Sequence, residues 1–266
     1  MKTIKRLVIK FGTGTLLNGG SFLDSAVFSR VADQVVRLKR QGVEVIIVTS
    51  AGVVAGGEEL LRLGKNPNAI SKKLRAAIGA LRILTYWAEA FSNRGLIAQF
   101  WVTYRNWSDT GERRSIRDTA LEALAAGITP VFNENDPVSD LEIQTMLAGI
   151  SDNDWLAGKI AWLLNADAIM FFSDVEAVFE RNPTQYADAR AYLEIDPHNI
   201  PKELRAAGAA SKTGRGGMGS KIMAAAKCAK QGMRVSIASL NGTECILRFV
   251  AGEHVGTMMG TKNILK

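Results

Sequence analysis

The sequence predicts an α/β protein built on a mainly parallel sheet, and three observations carry that expectation. Leu7 to Ile9 and Val45 to Val48 are short, β-branched, unbroken apolar runs, as strands buried on both faces of a sheet require. Between them Val27, Phe28, Val31, Val35 and Leu38 recur at helical spacing, so strand, helix and strand form a βαβ unit. Polar clusters then follow several apolar runs, and the carboxyl ends of strands are where open parallel sheets bind ligands.

The elements follow in order. Asp24 is placed to cap the first long helix and Gly42 to stop it. A helix over Ala69 to Phe91, a strand over Leu96 to Val102, a helix over Glu112 to Ala126 and a strand over Ile128 to Phe132 come next, with Gly95 and Gly127 ending the helices. A polar stretch suited to a short hairpin leads to a helix over Asn153 to Asn165 and a strand over Ala168 to Phe172. After an irregular, Pro-containing segment, a helix is expected over Met218 to Gln231, and Val235 to Ala238 and Ile246 to Val250 are expected to complete the sheet. The loop from about Asn182 to Gly217 carries no clear pattern.

A chain of 266 residues, 47% hydrophobic and 22% charged, suits a soluble globular protein and is expected to form one domain. Lys10 interrupts the first apolar stretch too early for a signal peptide, and no apolar run approaches the roughly 20 residues of a membrane span. The cysteines, Cys228 and Cys245, form neither a disulfide framework nor a metal pair. A cytoplasmic protein without a membrane partner is expected. The net charge of +7 is scattered rather than gathered in a stripe with interleaved aromatics, which speaks against nucleic acid. Anionic small substrates, or simply a basic solvated surface, account for it.

Six segments carry candidate chemistry. Lys10-Phe11-Gly12-Thr13-Gly14-Thr15 puts a lysine before a glycine turn, which is either a phosphate cradle or a plain strand end. It is not a dinucleotide fingerprint, because Leu17 stands where the third glycine belongs. Thr49-Ser50-Ala51-Gly52 offers N–H groups and a hydroxyl to an anion, or a tight strand-to-helix turn. Asn133-Glu134-Asn135-Asp136 and Ser151-Asp152-Asn153-Asp154 gather carboxylates and amides that suit a polar substrate. Phe172-Ser173-Asp174 ends another strand in polar residues, which either cap the next turn or border a nucleotide. Gly214-Arg215-Gly216-Gly217-Met218-Gly219-Ser220-Lys221 joins glycines, two cations and a helix start, an arrangement suited to a nucleoside triphosphate.

Together these segments, spread over nearly the whole chain, resemble the amino acid kinase family, and within it the branch that phosphorylates the side-chain carboxylate of glutamate in proline biosynthesis. The resemblance implies a three-layer αβα sandwich around a mainly parallel, eight-stranded sheet, with residues 1–165 forming an acceptor-binding half and 166–266 a nucleotide-binding half. It implies that Lys10 and Lys221 bind the phosphates of ATP and neutralise the transferred phosphoryl group, with Asp154 orienting them and magnesium carried by the nucleotide rather than by a protein metal site. Ser50, Asp136 and Asn153 would hold L-glutamate, Asp136 facing its ammonium. Gly12, Ser173, Asp174, Arg215, Gly216, Gly217, Met218, Gly219 and Ser220 would complete the nucleotide site. A homo-oligomer, dimer or tetramer, is implied, as is a glutamyl phosphate reductase to take up the product.

The chain also departs from the family pattern. Many bacterial members carry a C-terminal RNA-modification-type (PUA) domain, which this chain is expected to lack. Arg215 stands where threonine or lysine is common, Ala77-Ile78-Gly79-Ala80 where the family has Ala-Val-Gly-Gln, and Arg114-Ser115-Ile116-Arg117 where a tyrosine and an asparagine are usual. The last two regions are tied in the family to subunit contacts and proline feedback. Trp101, Tyr104 and Trp107 nearby read as interface or, more simply, core. Competing readings are a kinase for another acceptor, such as aspartate or another small carboxylate, and a non-catalytic regulatory paralogue. Retention of Lys10, Asp154 and Lys221 speaks against the paralogue, and an anionic Asp136 against an acceptor without an ammonium, such as acetylglutamate.

Overall fold

Both unbroken apolar runs are strands in the computed structural model, which describes residues 3–138, 152–206 and 217–265. Strand β1 (Arg6–Phe11) buries every side chain after Arg6, and β2 (Glu44–Val48) every one after Glu44, because both faces of each strand are covered. The chain forms two compact units, one comprising Phe11–Leu141 and the other Met1–Lys10 with Glu142–Lys266.

In the Phe11–Leu141 unit, β2, β4 (Thr129–Glu134) and β3 (Ile97–Val102) run parallel, with Val48 opposite Phe132 and Phe100 opposite Phe132 on its other side. The helices are α1 (Thr13–Leu17), α2 (Ser25–Arg40), α3 (Gly52–Arg62), α4 (Lys72–Phe91) and α5 (Thr110–Ala125). Helix α2 begins as the sequence predicts: the Asp24 carboxylate accepts the Ala26 N–H, and Val27, Phe28, Val31, Val35 and Leu38 are buried. It ends before Gly42, whose φ of +80° is one that glycine takes readily. Helix α4 starts at Lys72 rather than Ala69, because Pro67–Ala69 closes a short 3₁₀ turn and the Ser71 hydroxyl accepts the Leu74 N–H. Its Trp87 is the centre of the core, with Phe28 edge-on at 4.7 Å, Phe11 at 5.5 Å and its indole N–H donating to Thr49 Oγ1 at 3.1 Å. Trp107 is buried, and Trp101 half-buried on β3.

Helices α3 and α4 approach closely enough to exclude a methyl group. A Cβ on Gly79 would lie 1.8 Å from the Gly52 carbonyl oxygen and 2.4 Å from the Gly56 nitrogen, and one on Gly56 would lie 1.8 Å from the Arg75 carbonyl. The segment Ala77-Ile78-Gly79-Ala80 is therefore the place where two backbones meet.

In the other unit the strands follow the order β10-β7-β9-β8-β5-β1, with β6 beside β7. They are β5 (Ala168–Phe172), β6 (Val178–Phe179), β7 (Ala191–Ile195), β8 (Arg234–Ala238), β9 (Thr257–Met259) and β10 (Ile264–Leu265). Strands β5 and β8 run parallel, β9 runs antiparallel to β8 and parallel to β7, and β7 pairs antiparallel with β6 and β10. The class is the expected α/β with a mainly parallel sheet. The described residues hold ten strands rather than eight, and two of the ten, β6 and β10, are two-residue pieces.

The helices of this unit are α6 (Asp152–Leu163), α7 (Lys202–Ala206), α8 (Met218–Lys230) and α9 (Cys245–Val250). The last corrects the strand expected over Ile246 to Val250. Cys245, Ile246 and Phe249 are buried with helical spacing, and the strand that pairs with β8 on this side is β9, antiparallel. Strand β7 and helix α7 lie in the stretch that carried no pattern. Cys228 and Cys245 are buried free thiols, and burial pushes Cys228 up to about 12.

Candidate active site

Three charged side chains of the second unit converge out of water. Lys10 sits near the end of β1, Asp154 in the first turn of α6 and Lys221 in the first turn of α8, with fractional exposures of 3%, 0% and 6%. Asp154 Oδ1 lies 2.5 Å from Lys10 Nζ and 3.3 Å from Lys221 Nζ. The Ser220 hydroxyl, from the residue beside Lys221, donates to Asp154 Oδ2 at 3.4 Å.

The local sequence explains the convergence. A strand side chain at Lys10 has buried neighbours on both faces, so its ammonium stays inside with the strand. Helix α8 opens on Gly217 without a side-chain cap and buries Gly219, Ser220, Lys221 and Ile222 in succession.

The electrostatics follow from burial. Lys10 falls from 10.5 to about 8: loss of hydration lowers it, Asp154 opposes that loss and the Lys221 ammonium reinforces it. Burial alone would raise the Asp154 carboxyl, but the two ammonium groups outweigh it and hold the acid below its ordinary range. Among the described residues, two cations share one carboxylate, so about one positive charge is in excess in a low-dielectric site, an arrangement that costs stability and suits an anion. A nucleotide phosphate fits that excess. Among the described residues, no group of three or more His, Cys, Asp or Glu side chains is placed to hold a metal ion.

The remaining candidates sit as follows. Ser173, at the carboxyl end of β5, is buried, and its hydroxyl donates to the exposed Asp174 at 3.0 Å. Asn153 is half-buried in the first turn of α6, and Gly217, Met218 and Gly219 open α8. Arg215, Gly216 and Ser151, like the expected hairpin beyond Val138, lie outside the described residues. In the Phe11–Leu141 unit, Gly12 precedes α1 and Ser50 is buried at the end of β2. Ala51 follows with φ +76°, so a non-glycine residue makes the turn into α3. Asp136 is half-buried in the turn after β4, which the Asn135 N–H ties to the Val102 carbonyl at 2.8 Å.

Two side-chain contacts are not apparent from the sequence alone. Thr49 is expected as part of an anion site, and its hydroxyl receives the Trp87 indole N–H. Ser220 is expected at the nucleotide, and its hydroxyl faces Asp154. The adjacency of Ser220 and Lys221 in one helix turn is the signal for the second.

A sequence model of the amino acid kinase family matches residues 5–239. This chain belongs to that family. Among relatives, it is 35% identical over 254 residues to a glutamate 5-kinase of Shewanella amazonensis, covering 95% of this chain and 66% of that protein. It is 36% identical over 261 residues to a glutamate 5-kinase of Nitrosomonas eutropha, covering 97% of this chain and 68% of the other. The chain thus spans about two thirds of the length of these relatives. A UMP kinase from Bacillus anthracis superposes over the full length of both chains with a TM-score of 0.66 at 17% identity, so the two share a fold. No helix among the described residues is long and apolar enough to cross a membrane.

Proposed function

We propose that this chain transfers the terminal phosphoryl group of ATP to the side-chain carboxylate of L-glutamate, giving glutamyl 5-phosphate, the first step of proline biosynthesis. The observation that carries the reading is the buried Lys10–Asp154–Lys221 cluster with its surplus positive charge, set beside the likeness to glutamate 5-kinases of 34–36% identity.

The chemical difficulty in this reaction is charge, since an anionic acceptor must meet an anionic phosphoryl group. Lys10 and Lys221 supply two ammonium groups at fixed positions on one carboxylate oxygen, so their countercharge needs little reorganisation. Asp154 keeps the two cations together against their mutual repulsion. No general base is needed, because a glutamate side chain is ionised near neutral pH. Magnesium carried on the nucleotide phosphates would supply further countercharge.

In this reading Asp136 receives the glutamate ammonium, and Ser50 and Asn153 receive its carboxylates. Gly12, Ser173, Asp174 and the segment from Arg215 to Ser220 border the nucleotide. Residues 1–165 serve mainly the acceptor and 166–266 mainly the nucleotide. The chain acts as a homo-oligomer in the cytoplasm, and a glutamyl phosphate reductase consumes the labile product.

The test is ADP release from ATP and magnesium, with hydroxylamine present to trap an acyl phosphate, run with glutamate, aspartate and acetylglutamate. Hydroxamate with glutamate alone is the expected result. Hydroxamate with another acceptor would replace the substrate assignment, and none with any acceptor would remove the kinase reading.

A further inference from the structure

We propose that Ser220 is a positioning residue, which holds Asp154 in the orientation that keeps both lysines on one oxygen. The proposal rests on the reading of Lys10 and Lys221 as the groups that meet the phosphoryl charge. Both ammonium contacts fall on Oδ1 of Asp154, at 2.5 and 3.3 Å, while the Ser220 hydroxyl faces Oδ2 at 3.4 Å. The final torsion of an aspartate is soft, with a broad and roughly two-fold profile, so a carboxylate gripped through one oxygen can still swing. A donor on the second oxygen fixes its plane.

The surroundings agree with this role. Ser220 is 1% exposed, and a hydroxyl at that depth is costly unless it is hydrogen-bonded. It precedes Lys221 in the chain, so one turn of α8 supplies both a cation to Oδ1 and a hydroxyl to Oδ2. The side chain thereby serves the carboxylate.

Loss of the hydroxyl leaves Asp154 free to turn away from Lys10, which relies on that carboxylate to stay charged in a buried setting. Ser220→Ala is expected to lower kcat roughly tenfold through misplacement of the cations, with little change in the KM for ATP. Ser220→Thr, which keeps the hydroxyl, is expected to restore most of the rate.

The deciding measurement does not depend on the acceptor. Titration of Lys10 by NMR, with ¹³C in the lysine ε position, compares the full-length wild type with Ser220→Ala. The Lys10 transition is expected at lower pH in the variant and back at the wild-type position in Ser220→Thr. An unchanged Lys10 transition in Ser220→Ala would overturn the proposal, as would a rise in the KM for ATP with kcat intact, which would make the hydroxyl a nucleotide ligand. If the wild type fails to phosphorylate glutamate, the function proposed above falls, and the displaced Lys10 titration still supports the positioning role.

Discussion

Replacing Lys10 by methionine should change how stability depends on pH, and the size of that change follows from the site. The unfolded chain keeps the Lys10 proton up to its ordinary 10.5, whereas the folded chain keeps it only to about 8. Between those values the unfolded state binds more protons, so the stability of the wild type rises with pH. Integrating the two titrations from pH 7 to 9.5 gives a gain of about 2 kcal/mol from this one group. Lys10→Met removes the titration, leaves Asp154 paired with Lys221, and so removes that gain. Urea unfolding of both proteins at pH 7.0, 8.0, 9.0 and 9.5 measures it, because titrating groups away from the Asp154–Lys221 pair are common to the two and cancel in the difference. Turnover should move the opposite way in the wild type, falling above about pH 8 as Lys10 loses the charge that the phosphoryl group requires. Parallel stability profiles for the two proteins would refute the argument, since they would mean that Lys10 titrates alike in the folded and unfolded chains.

Three further outcomes are expected. Lys221→Met should lower kcat by roughly a hundredfold or more while glutamate affinity, measured by calorimetry, stays near wild type, because the cation is needed mainly in the transition state; near-wild-type turnover would remove Lys221 from the mechanism. Asp136→Ala should raise the KM for glutamate at least roughly tenfold more than that for ATP, as loss of a charged contact to one substrate predicts, and equal effects in steady-state assays would place Asp136 elsewhere. Gly79→Ala should cost about 3 kcal/mol or more by thermal unfolding, because its methyl group meets backbone on α3. Gly57→Ala is the control: the methyl would only touch Pro67 Cβ at 3.9 Å, so a gain of about 0.5–1 kcal/mol is expected.

The parts of the fold that could be read from sequence were those where one physical requirement dominates. Strand β5 was bounded correctly as Ala168–Phe172 because all five residues are buried and only an unbroken apolar run satisfies that. The start of α2 was legible because Asp24 caps it through its own side chain. Ile246 to Val250 misled for the same reason that β5 did not: a short apolar run fits a buried strand or a buried helix turn, and its partners decide. Strand β7 escaped notice because it alternates only weakly, with Tyr192 and Ile195 buried and the others half-buried. Lys10, Asp154 and Lys221 were recognised through their segments, but nothing local in the sequence says that they share one oxygen atom, since Lys10 and Lys221 stand 211 positions apart in the numbering of the chain.

The buried cysteines have a practical consequence. With its thiol pushed up to about 12, Cys228 carries almost no thiolate at neutral pH, and both cysteines are shielded by the surrounding core. A thiol-modifying reagent can therefore reach them only when the structure around them opens. The rate of labelling becomes a clock for those openings, readable without any introduced probe, and its slowing on addition of ATP or glutamate would report which ligand clamps that part of the protein.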